Sequence, residues 1–233
     1  MFSRSVELVS DTNIFARLTG RGTQMLVYAM TLGAHEELAM VLPLPATRTE
    51  TAVRFINLEG YPSFFTDMGK PFLRATRPRG EEATLDLGPK LAVHDVGAFE
   101  ASFVPTLADF ARLDPRFALP TQTWDALPSY RDWGFAVFKL KATAGTIHPM
   151  AFEFTTKVFF PTVHMHDGEV HPNAEFDHSL FCQVDRATYE WTSSVEPARE
   201  FMVHKKLEDT VDPDEVIYRR MLHGALPNRD QWV

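Results

Sequence analysis

Residues 24–44 read QMLVYAMTLGAHEELAMVLPL. Two apolar runs, Gln24 to Leu32 and Leu38 to Leu44, flank a short break from Gly33 to Glu36. Both runs are rich in residues that suit a pleated, buried surface, and both are too short for an amphipathic helix. A short glycine-bearing loop between them predicts a hairpin. Pro43 and Pro45 lack ladder donors and mark the second strand's end as an edge or an exit.

The same reading extends both ways. Upstream, Val6–Val9 and Asn13–Leu18 are short strands, with a turn at Gly20-Arg21-Gly22. Downstream, Val53–Leu58, Lys90–Val96, Phe99–Val104, Trp133–Ala142, His148–Thr155, Lys157–His166 and Glu175–Val184 have strand composition, with Thr143–Thr146 as a turn. Helical segments are expected at Pro62–Met68, at Thr106–Leu113 with Thr106 as N-cap, and at Asp212–Leu222, where Asp212-Pro213 supplies a cap and a first-turn proline. The pattern predicts a mainly β chain: an antiparallel sandwich or open barrel with two or three short helices. The polar stretch near residues 73–89 is the best candidate internal boundary. No composition shift follows it, so residues 1–233 are read as one β-rich domain.

Composition narrows the function. The 233 residues carry 23 basic and 31 acidic side chains, a formal charge of −8, and 19 phenylalanines. A net negative field disfavours a phosphate backbone, so nucleic acid is not expected as a partner. Arg74, Arg77 and Arg79 fall in a Pro- and Gly-bearing stretch and read as a solvated loop. Cys182 is the single cysteine, which excludes an intrachain disulfide. In Leu180-Phe181-Cys182 it reads as a small buried hydrophobe; the competing reading is a thiol nucleophile with a histidine and Asp177. No apolar run is long enough for a spanning helix and no signal pattern opens the chain, so a cytoplasmic, non-membrane location is the expectation. Walker, dinucleotide-binding, Gly-x-Ser-x-Gly and zinc-ribbon motifs are absent.

The segment from Met25 to Phe65, with its apolar run ending in LPLP at residues 42–45, resembles the N-terminal part of a bacterial family of unknown function whose members are often exported. It spans about a fifth of the chain and implies no activity.

Chemistry concentrates further along. His148, His164, His166, His171 and His178 are five of the nine histidines. In a strand, residues i and i+2 share a face, so His164 and His166 point the same way. Neutral imidazole is the commonest metal ligand near pH 7. A tight turn at Asp167-Gly168 would set His164 opposite His171 and His166 opposite Glu169. A longer loop through Pro172-Asn173 would set His164 opposite His178. Cross-strand Cβ atoms lie ~4.5–5.5 Å apart, so either register supplies a third imidazole. The pattern is similar to the cupin His-x-His motif, although Glu169 follows His166 one residue early and the motif's glycine would fall at Val158.

Two functions follow. One is a metal-binding protein, or a metalloenzyme, holding zinc, iron or copper on His164, His166 and either His171 or His178, with Glu169 as fourth ligand or general base. Against it stands the reading of His164 and His166 as the solvent face of a half-buried strand whose buried face is Phe159, Pro161, Val163 and Met165. The other function is a non-enzymatic module that binds a protein or small molecule, or assembles with itself through sheet edges. His94-Asp95 reads as a turn before Gly97 or an acid–base pair, and His148-Pro149 as a strand-end cap.

Overall fold

A computed structural model describes residues 1–73, 99–140, 143–184 and 190–233. Strands β1 (Leu8–Leu18), β2 (Gln24–Ala34), β4 (Val53–Asn57), β7 (Thr143–Thr146), β8 (Met150–Phe154), β10 (Asn173–Gln183), β11 (Thr192–Ser193) and β12 (Tyr218–Pro227) form the large sheet. Its order is β11-β12-β10-β1-β2-β8-β4, with β7 also pairing β2. A three-stranded sheet joins β3 (Leu38–Leu44), β6 (Gly134–Leu140) and β5 (Glu100–Val104) in the order β3-β6-β5. β9 (Phe159–Phe160) pairs with β13 (Gln231–Trp232). The chain is mainly β, as the sequence predicts, and among the described residues the strand pairs are antiparallel except β1 with β10, which run parallel.

Side-chain alternation explains the near-continuous apolar runs. On β2, Leu26, Tyr28, Met30 and Leu32 join the core between the two sheets, where Met40 and Leu42 of β3 and Phe138 of β6 meet them. The alternate residues Val27 and Ala29 face a second core, built with Phe64, Phe65 and Met68 of the short helix α1 (Phe64–Gly69) and with Met202, Leu207 and Ile217. The outer face of the small sheet, including Val41, Phe135 and Val137, packs on Phe110, Phe117, Trp124 and Tyr130. Both faces are therefore covered at β2 and β3, and such strands lose the apolar–polar alternation that β10 and β12 keep.

That covering overturns the expected hairpin. β2 pairs with β1, β8 and β7, whereas β3 pairs with β6 in the other sheet. The Gly33–Glu36 break is thus a crossover between layers. The end of the expected Val6–Val9 strand and Asn13–Leu18 fuse into β1, which begins at Leu8 and whose register shifts between Ser10 and Asn13, where Asp11 adopts φ 50. The turn expected at Thr143–Thr146 is β7.

The expected helix at Asp212–Leu222 is also replaced. Asp212 accepts the Asp214 N–H at 3.0 Å in a local turn, and from Tyr218 onward the backbone bonds to β10. Thr106 bonds the Asp109 carboxylate at 2.7 Å instead of capping a backbone N–H, and a 3-10 helix, Leu107–Arg112, takes the place of an α-helix. The Lys90–Val96 strand, the Arg74, Arg77 and Arg79 loop, His94-Asp95 and most of the 73–89 boundary lie outside the described residues.

Candidate functional site

His178 sits on β10, held between β1 on one side and β12 on the other. It shares a face with Phe176, Leu180 and Cys182, which join the core between the sheets, and it is 3% exposed. Cys182 is buried there too, whereas Asp177 alternates to the opposite face. β10 therefore keeps these two residues apart, and the thiol–acid arrangement does not form.

His164 arrives differently. The expected strand Lys157–His166 is regular only at Phe159–Phe160. Pro161 cannot donate to a ladder, and the following backbone groups are met by side chains instead. Asp230 accepts the N–H groups of Thr162 at 2.9 Å and Val163 at 3.3 Å. Asn228 accepts the His164 N–H at 2.7 Å and donates to the carbonyls of His164 and His171, each at 2.9 Å. The N–H groups of Phe2 and Val6 donate to the carbonyls of Met165 and His166.

This frame brings three of the expected imidazoles together. The His164 ring lies 4.8 Å from that of His166, 4.7 Å from that of His178 and 4.5 Å from Phe176, at interplanar angles of 23°, 31° and 25°. His164 Nε2 and His178 Nε2 are 3.0 Å apart. The expected neighbourhood of His164 and His178 thus forms, though not as a cross-strand pair. His164 and His166 are half-buried rather than a solvent face.

The other candidates lie elsewhere. His171 is exposed and pairs with Asp167 at 2.8 Å, which raises its pKa. Glu169 is exposed, and its N–H donates to Asp167 Oδ1 at 3.0 Å. Neither joins the imidazole cluster, because the 167–171 segment turns outward at Gly168, φ 90. Among the described residues, no group of three or more His, Cys, Asp or Glu is arranged to hold a metal ion. His148, expected as a strand-end cap, stacks on Phe99 at 4.5 Å, and its ring nitrogens have no hydrogen-bond partner among the described residues.

Burial governs the electrostatics. Desolvation, reinforced by His178 and His166, takes His164 down to about 2. Desolvation takes His166 to about 4, aided by the Met1 amino group, and His178 to about 4, aided by His166. All three rings are neutral at pH 7.

Asn228 and Asp230, which position this segment, escaped the sequence reading. The available signal was the polar run Asn228-Arg229-Asp230-Gln231 before Trp232.

No protein-family model matches the chain, and no curated protein matches it. Several solved structures resemble it over nearly their whole length. The crystal structure of baculovirus P35 matches with a TM-score of 0.56 at 12% identity, covering 96% of this chain and 95% of that one. A mutated baculovirus P35 after caspase cleavage matches with a TM-score of 0.51 at 13% identity, covering 96% and 98%. The likeness is one of fold, and the mainly β architecture described above is similar to that of P35.

Proposed function

We propose that the chain is a non-enzymatic protein-binding module whose partner is a protease of the caspase class. The supporting observation is the fold likeness to P35, which covers 96% of this chain and 95% of the other. One of the similar structures is a P35 cut by a caspase, so this architecture has served as a caspase substrate. The test is incubation of the purified chain with a panel of caspases. Peptidase activity on a small fluorogenic peptide is followed alongside mass spectrometry of the chain. A discrete cut together with lost peptidase activity supports the reading. An uncut chain and undiminished activity across the panel overturn it.

A second reading places a divalent metal ion, zinc, iron or copper, on the imidazole pair. Its support is the 3.0 Å approach of the His164 and His178 Nε2 atoms. Two nitrogens bound at ~2.0–2.1 Å to one tetrahedral ion stand about 3.3 Å apart, a span this pair reaches with a small opening. Elemental analysis of untagged protein, before and after adding each metal, tests it. Binding far below one equivalent, or unchanged in His164→Ala, rejects it.

A further inference from the structure

A cleft of ≈ 530 Å³ opens where β13 meets the 3-10 turn Pro128–Tyr130. Tyr130, Trp133 and Trp232 line it. Tyr130 and Trp133 have ring centroids 4.9 Å apart at 49°, and Trp133 and Trp232 lie 6.2 Å apart at 89°. The three rings thus stand at steep angles to one another around the space. Trp232 is 51% exposed, a large aromatic surface left open to solvent.

Asp230 lines the same cleft. Its Oδ2 accepts from the Tyr130 hydroxyl at 2.6 Å, and its Oδ1 accepts from the N–H groups of Thr162 and Val163. A carboxylate has about four acceptor sites, and here three are filled, all by neutral donors. The Met1 amino group acts on it only through space and bonds to the Val41 carbonyl instead. Burial holds the Asp230 carboxyl up at about 6, as befits an anion with no cation in contact among the described residues.

Aromatic faces carry negative potential, and a carboxylate beside them adds to it. We propose that this cleft binds an organic cation, a substituted ammonium or guanidinium group, against the faces of Trp133 and Trp232 with Asp230 as its counter-charge. The cation takes the open acceptor site of Asp230 and relieves its unpaired burial. The net charge of −8 favours the approach of such a ligand. Arg229 is exposed and also lines the cleft, where it opposes a bound cation. The inference is independent of the protease reading, because it concerns the charge of a ligand and not the nature of a partner.

The probe is choline, titrated at constant ionic strength and followed by tryptophan fluorescence. The control is 3,3-dimethylbutanol, which has the same shape with carbon in place of the charged nitrogen. Choline should saturate and bind at least about tenfold more tightly than the alcohol. Trp232→Leu and Asp230→Asn should each weaken choline about tenfold, and Arg229→Gln should tighten it. Affinity should rise as pH increases through about 6, where Asp230 ionises. Circular dichroism checks each variant, and Trp232→Leu and Arg229→Gln decide the matter if Asp230→Asn fails to fold. Equal affinity for choline and the alcohol overturns the proposal, as does a titration that never saturates. So does choline affinity unchanged in Trp232→Leu.

Discussion

His178 shares one hydrogen bond with His164, Nε2 to Nε2 at 3.0 Å, while its buried Nδ1 has no hydrogen-bond partner among the described residues. Two neutral imidazoles can make that bond with only one proton between them. A buried N–H left unpaired is rarer in proteins than an under-used acceptor. The favoured tautomer therefore puts the His178 proton on Nε2, donating to His164, and leaves His178 Nδ1 bare.

Nitrogen-15 NMR of the imidazoles checks this assignment at neutral pH. His178 should show the Nε2–H tautomer and His164 the Nδ1–H tautomer. The reverse pattern would place a donor on the orphaned nitrogen and refute the argument.

Acid should destabilise the fold within a defined window. His166 and His178 have native pKa values of about 4, and His164 of about 2, against 6.5 for an ordinary histidine. Above 6.5 these groups are neutral folded or unfolded and leave stability unchanged with pH. Below 6.5 the unfolded chain takes up protons that the folded cluster refuses, so stability falls toward pH 4 and below. Asp230 works in the opposite sense: its native pKa is raised to about 6, so the folded state takes its proton first. The three lowered imidazoles outweigh Asp230 and the raised His171, and thermal melts should fall between pH 6.5 and about 4. His178→Leu should flatten that slope; a slope unchanged in the variant would trace acid sensitivity to other groups.

Asn228 meets three backbone groups, the N–H and carbonyl of His164 and the carbonyl of His171. Asn228→Ala should cost about 2–3 kcal/mol in urea unfolding, because the freed groups lie in a partly buried segment without a ladder. Amide exchange at His164 should accelerate in the same variant. A loss under about 0.5 kcal/mol would mean that water replaces the side chain.

Gly134 begins β6 directly under the Phe103 ring, and a Cβ there would come 2.6 Å from Phe103 Cε2. Gly134→Ala should therefore destabilise by about 1–3 kcal/mol, the usual cost of overpacking. Adding Phe103→Leu should recover part of that loss. Two strictly additive penalties would show that the clash is not the cause.

Much of the strand content was legible because apolar and β-branched runs of five to eleven residues leave few alternatives to a sheet: β3, at Leu38–Leu44, lies where its composition puts it. What pairs with what was not legible. The break at Gly33–Glu36 is compatible with a hairpin or a crossover, and only the second sheet, offering β6 to β3, decides between them. Tyr218–Pro227 became a strand because β10 supplies its hydrogen bonds along nearly its whole length. The histidine spacing predicted that imidazoles would gather, and His164, His166 and His178 do. It could not exclude Glu169 and His171, because that depends on Asn228 and Asp230, over sixty residues further on, fixing residues 162–164 in an irregular path. The β character and the density of histidines between His148 and His178 are legible without the fold, since both are local in pattern. Strand partners, ring orientation, burial and the Trp133–Trp232–Asp230 cleft were decided by tertiary structure, since each requires residues that meet only after folding.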